Sequence, residues 1–256
     1  MAYVLAVSPH LDDAVLSAGG HLAARIARGD EVVVYTVFAG LAAPPYSATA
    51  LRVHEQWGLA ADPVGHRRAE DREAVAALGA VAVHGPFLDV LYRRDRAGGW
   101  LIESRDRLTG STVDEPDLER EAAATIAALL RDRTPDLLLT CAAVGGHVDH
   151  LRTRDAVLAA GTAAWLWEDM PYAAVGMSAP PLPPGTVSGP ELARPVDPAA
   201  WTAKCAAVGC YRSQHSMVFP AGGDYRDTLR AHAEQRATDL GHDGPVEVFW
   251  SARPAR

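Results

Sequence analysis

An α/β fold, a Rossmann-like three-layer sandwich around a mostly parallel sheet, is predicted by three observations. Short apolar runs alternate along the chain with segments of helical period, the pattern of strands joined by crossover helices. Two of those runs end in clusters of histidine and aspartate, each followed at once by a helix-like pattern. The length, 256 residues, suits the core of one such unit, so residues 1–256 are expected to form a single domain.

The first strand is "YVLAV" (3–7). After it Val15, Ala18, Leu22 and Ile26 recur at three- and four-residue steps, and Gly29 stands where a helix would end. "EVVVYTVF" (31–38) and "AVAV" (80–83) read as the next strands. Pro116, a good first-turn residue, opens a helix through Leu118, Ala122, Ile126 and Leu129 that Pro135 stops, delivering the chain into the strand "LLLTC" (137–141). Residues 40–66 and the proline-rich residues 179–200 break the rhythm and are expected to be long loops. A helix over 199–214, a second near 224–238 and a terminal strand "VEVFW" (246–250) complete the chain.

Composition narrows the function. A formal charge of −8 provides no basic patch to neutralise a phosphate backbone, so nucleic acid is not the expected partner and a small molecule is. No apolar run approaches the roughly 20 residues that span a bilayer, and the start lacks the cationic front and cleavage site of a signal peptide, so no membrane partner and a cytoplasmic location are expected. Three cysteines, Cys141, Cys205 and Cys210, are too few and too odd for a disulfide framework.

The chemistry lies in two clusters. "HLDDAVLSAGG" (10–20) follows the first strand, and "GGHVDHLRTRDAV" (145–157) follows "LLLTC". Alone, an acidic pair after a strand reads as a helix N-terminus, where Asp stabilises exposed N–H groups. Histidines in a polar loop are, alone, commonly solvated. Their joint occurrence after two strands, in a chain of ten histidines, favours a metal site. Loops at the carboxyl ends of parallel strands emerge on one edge of the sheet, where such folds bind ligands. His10, Asp12 and Asp13 are therefore expected to face His147, Asp149 and His150, and two imidazoles with one carboxylate suit a divalent ion with an open position.

With these residues in place, the sequence resembles the PIG-L/LmbE-like family of metal-dependent N-deacetylases, which act on N-acetylglucosamine-type sugars. That family opens with a pattern close to H-P-D-D-E and a Gly-rich helix, and carries H-x-D-H after a later strand. Arg67, Glu70, Ala74, Leu78 and Gly79 match its R-x-x-E-x(3)-A-x(3)-L-G helix, and "WEDMPY" (167–172) and "KCAAVGCYRSQ" (204–214) are also similar. The resemblance implies His10, Asp13 and His150 as metal ligands and Asp12 as general base. It further implies His147 as the group that supports the oxyanion and can protonate the leaving amine, with Asp149 orienting it. Zinc is the default ion; an N/O donor set also accommodates iron(II) or cobalt.

The resemblance also gives Arg67 a place gripping a sugar hydroxyl or phosphate, against the plainer reading of an i,i+3 pair with Glu70. Asp89, after another strand-like run, is a candidate for sugar hydroxyls or a turn cap. Trp57, Trp165 and Trp167 can stack on a sugar, although core packing suits at least one of the last two. His54, His66 and His215 read as solvated loop residues. The chain departs from the family at Leu11 and Ala14, in place of the usual proline and glutamate. Gly145 stands where some mycothiol-pathway members have tyrosine, leaving Tyr172 as the aromatic candidate. The expected activity is removal of an N-acyl group, acetyl above all, from an amino sugar or sugar-containing metabolite. An amidase of a larger acyl or thiol conjugate, and a glycoside-binding protein without turnover, are the alternatives.

Overall fold

Alternation along the first strand decides which layer each side chain serves. In the computed structural model, which describes residues 1–59, 61–110, 113–219 and 223–255, β1 (Tyr3–Ser8) is buried over its whole length. Val4 and Ala6 enter one apolar core, and Tyr3, Leu5 and Val7 enter another on the opposite face, as a period of two requires. A strand apolar on both sides belongs at the centre of a covered parallel sheet.

The other strands are β2 (Glu31–Thr36), β3 (Val81–His84), β4 (Leu137–Cys141), β5 (Ala164–Trp167), β6 (Thr186–Pro195) and β7 (Val246–Pro254). They form one sheet in the order β3-β2-β1-β4-β5-β7-β6. β1 to β5 are mutually parallel, while β7 runs antiparallel to β5 and β6 antiparallel to β7. The helices are α1 (Asp13–Ala27), α2 (Ala48–Trp57), α3 (Pro63–Leu78), α4 (Pro116–Asp132), α5 (Val148–Ala159), α6 (Pro198–Val208), α7 (His215–Val218) and α8 (Tyr225–Asp239). α1, α3, α6 and α8 share the core on the Val4 face, and α4 and α5 cover the Leu5 face. This is the predicted three-layer α/β sandwich with a mostly parallel sheet. None of its helices, among the described residues, is long and apolar enough to cross a membrane.

Two expectations need correction. Residues 40–66 hold α2 and the start of α3 rather than one long loop: Ser47 caps α2 through Ala50 N–H, and Ala50, Val53 and Trp57 bury an i, i+3, i+7 stripe against Leu11, Val90 and Tyr92. Residues 179–200 contain β6, an edge strand whose pairing shifts register between Ser188 and Glu191, around Gly189 and Pro190. A bulge on an edge is where a sheet tolerates proline, so the composition that suggested a loop conceals a strand. The helix expected over 199–214 ends earlier, at Val208.

A buried ion pair ties the far side of the sheet to α1. Lys204 Nζ lies 2.6 Å from Glu247 Oε1, and the Glu247 carboxylate also accepts the backbone N–H groups of Gly20 and His21. Those partners satisfy a carboxylate that burial alone would penalise heavily.

Candidate metal centre

β1 and β4 are neighbours whose crossovers leave in opposite directions, the switch point at which a doubly wound sheet opens a crevice beyond its strand ends. His10, Asp12 and Asp13 follow the end of β1. His147, Asp149 and His150 follow β4 through a turn in which Gly145 and Gly146 both take positive φ. The two clusters meet. The rings of His10, His147 and His150 lie with centroids 4.8 to 5.3 Å apart, and all six side chains are buried.

Asp13 is the meeting point. Its Oδ2 accepts the His10 backbone N–H at 2.8 Å and lies 3.4 Å from His10 Nδ1 and 3.2 Å from His150 Nε2. The opposite ring nitrogens are engaged behind: His10 Nε2 meets Asp149 Oδ2 at 3.1 Å, and His150 Nδ1 meets Asp169 Oδ1 at 2.8 Å. Each imidazole thus has a carboxylate at its back and a nitrogen turned to Asp13, the arrangement that holds a metal-binding histidine in one tautomer. His150 Nε2 is buried and makes no hydrogen bond. A buried ring nitrogen without a hydrogen bond, beside a second imidazole and a carboxylate, is a place for positive charge and fits a divalent cation.

The electrostatics agree with the geometry. Burial opposes ionisation of Asp13, yet His150 and His10 hold its carboxyl well below the ordinary range. Burial likewise opposes charge on His150, and Asp13 and Asp169 still raise it to about 9. Asp12 behaves differently. Burial pushes it up to about 7, Arg67 opposes and the Asp13 charge reinforces. Its side chain makes no helix-capping bond, so the structural reading of this acid is not the one realised. A half-neutral carboxyl beside a cation site is equipped to take and return a proton.

His147 is the N-cap of α5, its Nδ1 accepting the Asp149 N–H at 3.1 Å. In the neutral ring that leaves the proton on Nε2, and burial, with His10 and His150 nearby, holds the ring well below its ordinary pKa. The link expected between Asp149 and His147 therefore takes another form: the backbone of Asp149 holds His147, while its carboxylate serves His10, Val90 N–H and Arg93.

The cleft above this cluster has a volume of about 200 Å³. Arg67 lines it, buried, with Nη2 3.5 Å from Asp12 and its guanidinium 4.7 Å over the Trp57 ring. Glu70, the alternative partner for Arg67, instead accepts Ser213 Oγ–H at 2.6 Å. Asp89 realises the turn-cap reading, its Oδ1 accepting Leu91 N–H, while its Oδ2 lines the cleft 3.6 Å from His10 Nε2. Trp57 lines the cleft, whereas Trp167 is core and Trp165 packs on Phe249 away from it. His54 is buried against the Tyr92 hydroxyl, contrary to its reading as a solvated residue.

A family model described as "PIG-L: GlcNAc-PI de-N-acetylase" matches residues 5–161. The chain belongs to the PIG-L family. Among its PIG-L relatives, a 2'-N-acetylparomamine deacetylase of Streptomyces fradiae is 36% identical over 175 residues, 66% of this chain and 57% of that protein. A 1D-myo-inositol 2-acetamido-2-deoxy-alpha-D-glucopyranoside deacetylase of Tsukamurella paurometabola is 32% identical over 63% of this chain and 55% of its own length. The chain spans little more than half the length of these curated relatives. Among solved structures, the zinc-inhibited form of a teicoplanin deacetylase superposes with a TM-score of 0.91 at 40% identity, covering 99% of this chain and 98% of that one. A deacetylase of the A40926 pseudoaglycone superposes at 0.85 with 39% identity over the same shares.

The departures from the PIG-L motif have visible causes. Leu11 packs beneath α2 with Val53 and Val90, and Ala14, in the first turn of α1, is buried in the core. A Cβ at Gly145 would lie 2.7 Å from Tyr172 Cδ1, so the Tyr172 ring occupies the space of a side chain at 145. Asp169 and Arg93 were not singled out from the sequence. Asp169 stands just past β5 on the same sheet edge, a position that the strand-end argument covers; Arg93 carries no comparable signal.

Proposed function

We propose that this PIG-L protein is a metal-dependent hydrolase that removes the N-acetyl group of an amino sugar, with His10, Asp13 and His150 holding the ion. The observation that carries the reading is the convergence of His10 Nδ1 and the unbonded His150 Nε2 on one Asp13 oxygen, with Asp12 beside them. A divalent ion bound there acidifies water and polarises an amide carbonyl. Zinc is the ion we assign, supported by the donor set and by a relative solved in a zinc-inhibited form, which makes activity against zinc concentration a quantity to measure.

The chain's own residues divide the remaining work. Asp12 takes the proton of the attacking water and returns it to the departing amine, a double role suited to its pKa of about 7. His147 offers Nε2–H to the oxygen on which charge develops. Its Nδ1 lone pair is committed to the Asp149 N–H, so protonation of the amine falls to Asp12 rather than His147. Arg67 and Asp89 orient the sugar. Val53, Trp57, Leu91 and Met217 make much of the remaining wall apolar, which suits a sugar carried on a bulky scaffold; one relative has been solved in complex with teicoplanin. Residues 1–256 act as one domain on this small-molecule substrate, and we place the protein in the cytoplasm.

Acetate release from a panel of N-acetyl amino sugars and their glycosides tests the reading, with Asp12→Asn alongside. We expect Asp12→Asn to lower turnover by about 10²–10⁴-fold with metal content unchanged. Release of a longer acid would point to the acyl-conjugate amidase, and sugar binding without amine release to a binding protein.

A further inference from the structure

Arg93 lies outside the cleft and touches none of the cleft's floor directly except through Asp149. All three nitrogens of its guanidinium are engaged. Nε and Nη2 donate to the two oxygens of Glu115 at 2.7 and 2.8 Å, Nη1 donates to Leu88 C=O at 2.8 Å, and Nη2 also stands 2.7 Å from Asp149 Oδ1. The Phe38 ring covers it at 5.1 Å. Asp149 is held from two sides, by Arg93 at one oxygen and by Val90 N–H, at 2.9 Å, on the other. The oxygen that accepts from Val90 is the one 3.1 Å from His10 Nε2.

From this geometry we infer that Arg93 is a positioning residue for the metal centre: by fixing Asp149 against His10 Nε2 it sets the tautomer that presents His10 Nδ1 to the cation. The inference rests on the ligand set proposed above. It departs from the role that the family resemblance implies for Asp149, which pairs that carboxylate with His147. The two assignments differ in what Asp149 controls. A carboxylate that orients His147 affects turnover and not metal binding, whereas one that backs His10 affects metal binding itself. Arg93, Asp149 and His10 are buried and Glu115 is half-buried, so bulk water is poorly placed to replace Arg93 or Asp149. An arginine suits the task because its fork engages two carboxylates in fixed directions, which an ammonium does not.

The experiment is zinc affinity of the full chain, stripped and titrated against a chromophoric chelator, for wild type, Arg93→Gln, Asp149→Asn, the double variant and His10→Ala. Loss of a residue that orients a metal-binding histidine costs about 10–100-fold in affinity, and we expect each of the first two variants to fall in that range. Because Arg93 acts through Asp149, the double variant should bind no more weakly than the weaker single one. Wild-type affinity in folded Arg93→Gln, or losses that multiply in the double variant, overturns the inference. Unchanged affinity in His10→Ala instead removes the ligand set, and this inference with it. Should Arg93→Gln not fold, Arg93→Lys carries the same test: a several-fold loss supports the role of the fork, and full affinity overturns it.

Discussion

Asp169 and His150 stand 2.8 Å apart, Oδ1 to Nδ1, and both are fully buried. The second Asp169 oxygen accepts Val144 N–H at 3.0 Å, so one carboxylate joins the turn after β4 to the imidazole that faces Asp13. Asp169→Ala should lower zinc affinity by about 10–100-fold, since a partner behind a ligating histidine contributes at that level. Chelator competition on purified protein gives the number. Undiminished affinity would show that His150 needs no such support.

His147 lies as near the cluster as the proposed ligands do, so ring distance alone does not assign its role. Its Nδ1 is bonded to the Asp149 N–H, which leaves an Nε2–H donor and favours the oxyanion role over ligation. His147→Ala should therefore lower kcat by about 10²–10³-fold, the cost of one oxyanion donor, with bound zinc unchanged. His147→Gln, which retains an N–H donor, should recover part of that loss. Steady-state kinetics with metal analysis on the same samples decides; a drop in bound zinc would move His147 among the ligands.

How far the sequence reached follows from what its patterns encode. His10, Asp12, Asp13, His147 and His150 were legible because each follows an apolar run, and parallel strand order forces their loops to one edge. Asp169 stood only in an acidic pair with Glu168 after "AWLW", without a second ligand type beside it to raise it above a turn residue. Arg93 lies in a stretch of repeated arginines, and its burial depends on Glu115 and Asp149, 22 and 56 positions away. α2 was hidden by Pro44 and Pro45 just before it, although Ala50, Val53 and Trp57 carry helical spacing. β6 owes its pairing to β7, so its own glycine and prolines argued against a strand.

Gly145 and Tyr172 form a second pair with a measurable coupling. Gly145 sits at φ +84°, and an added Cβ would meet Tyr172 Cδ1 at 2.7 Å and Cγ at 3.0 Å. Gly145→Ala should destabilise the protein by about 2–4 kcal/mol, combining the left-handed backbone cost with overpacking. In a Tyr172→Ala background the ring contacts are lost and only the residue-172 Cβ, at 3.2 Å, still crowds the site, so the loss falls toward the about 1–2 kcal/mol of the backbone. Denaturant unfolding of the four proteins in the cycle measures the difference. Equal losses in both backgrounds would mean that Tyr172 moves aside freely.

His21 provides a pH signature away from the metal centre. Its ring packs against Phe249 and Trp165, with centroids 5.2 and 5.8 Å away. Burial is the main cause that lowers its pKa from 6.5 to about 4; Glu247 pulls the other way, and Arg25 and Arg194 reinforce burial. The unfolded chain therefore takes up a proton near its ordinary pKa, while the folded chain resists until about pH 4. The contribution of His21 to stability is fully present above about pH 6.5, declines as pH falls through the interval, and is gone below about pH 4. Its size, set by the displacement between the two pKa values, is about 3 kcal/mol. His21→Phe keeps an aromatic ring between Phe249 and Trp165 and removes the titration. Urea unfolding at intervals from pH 7 down to pH 4 should show wild type losing more stability than His21→Phe by about that amount. Parallel curves for the two proteins would place the proton uptake on other groups.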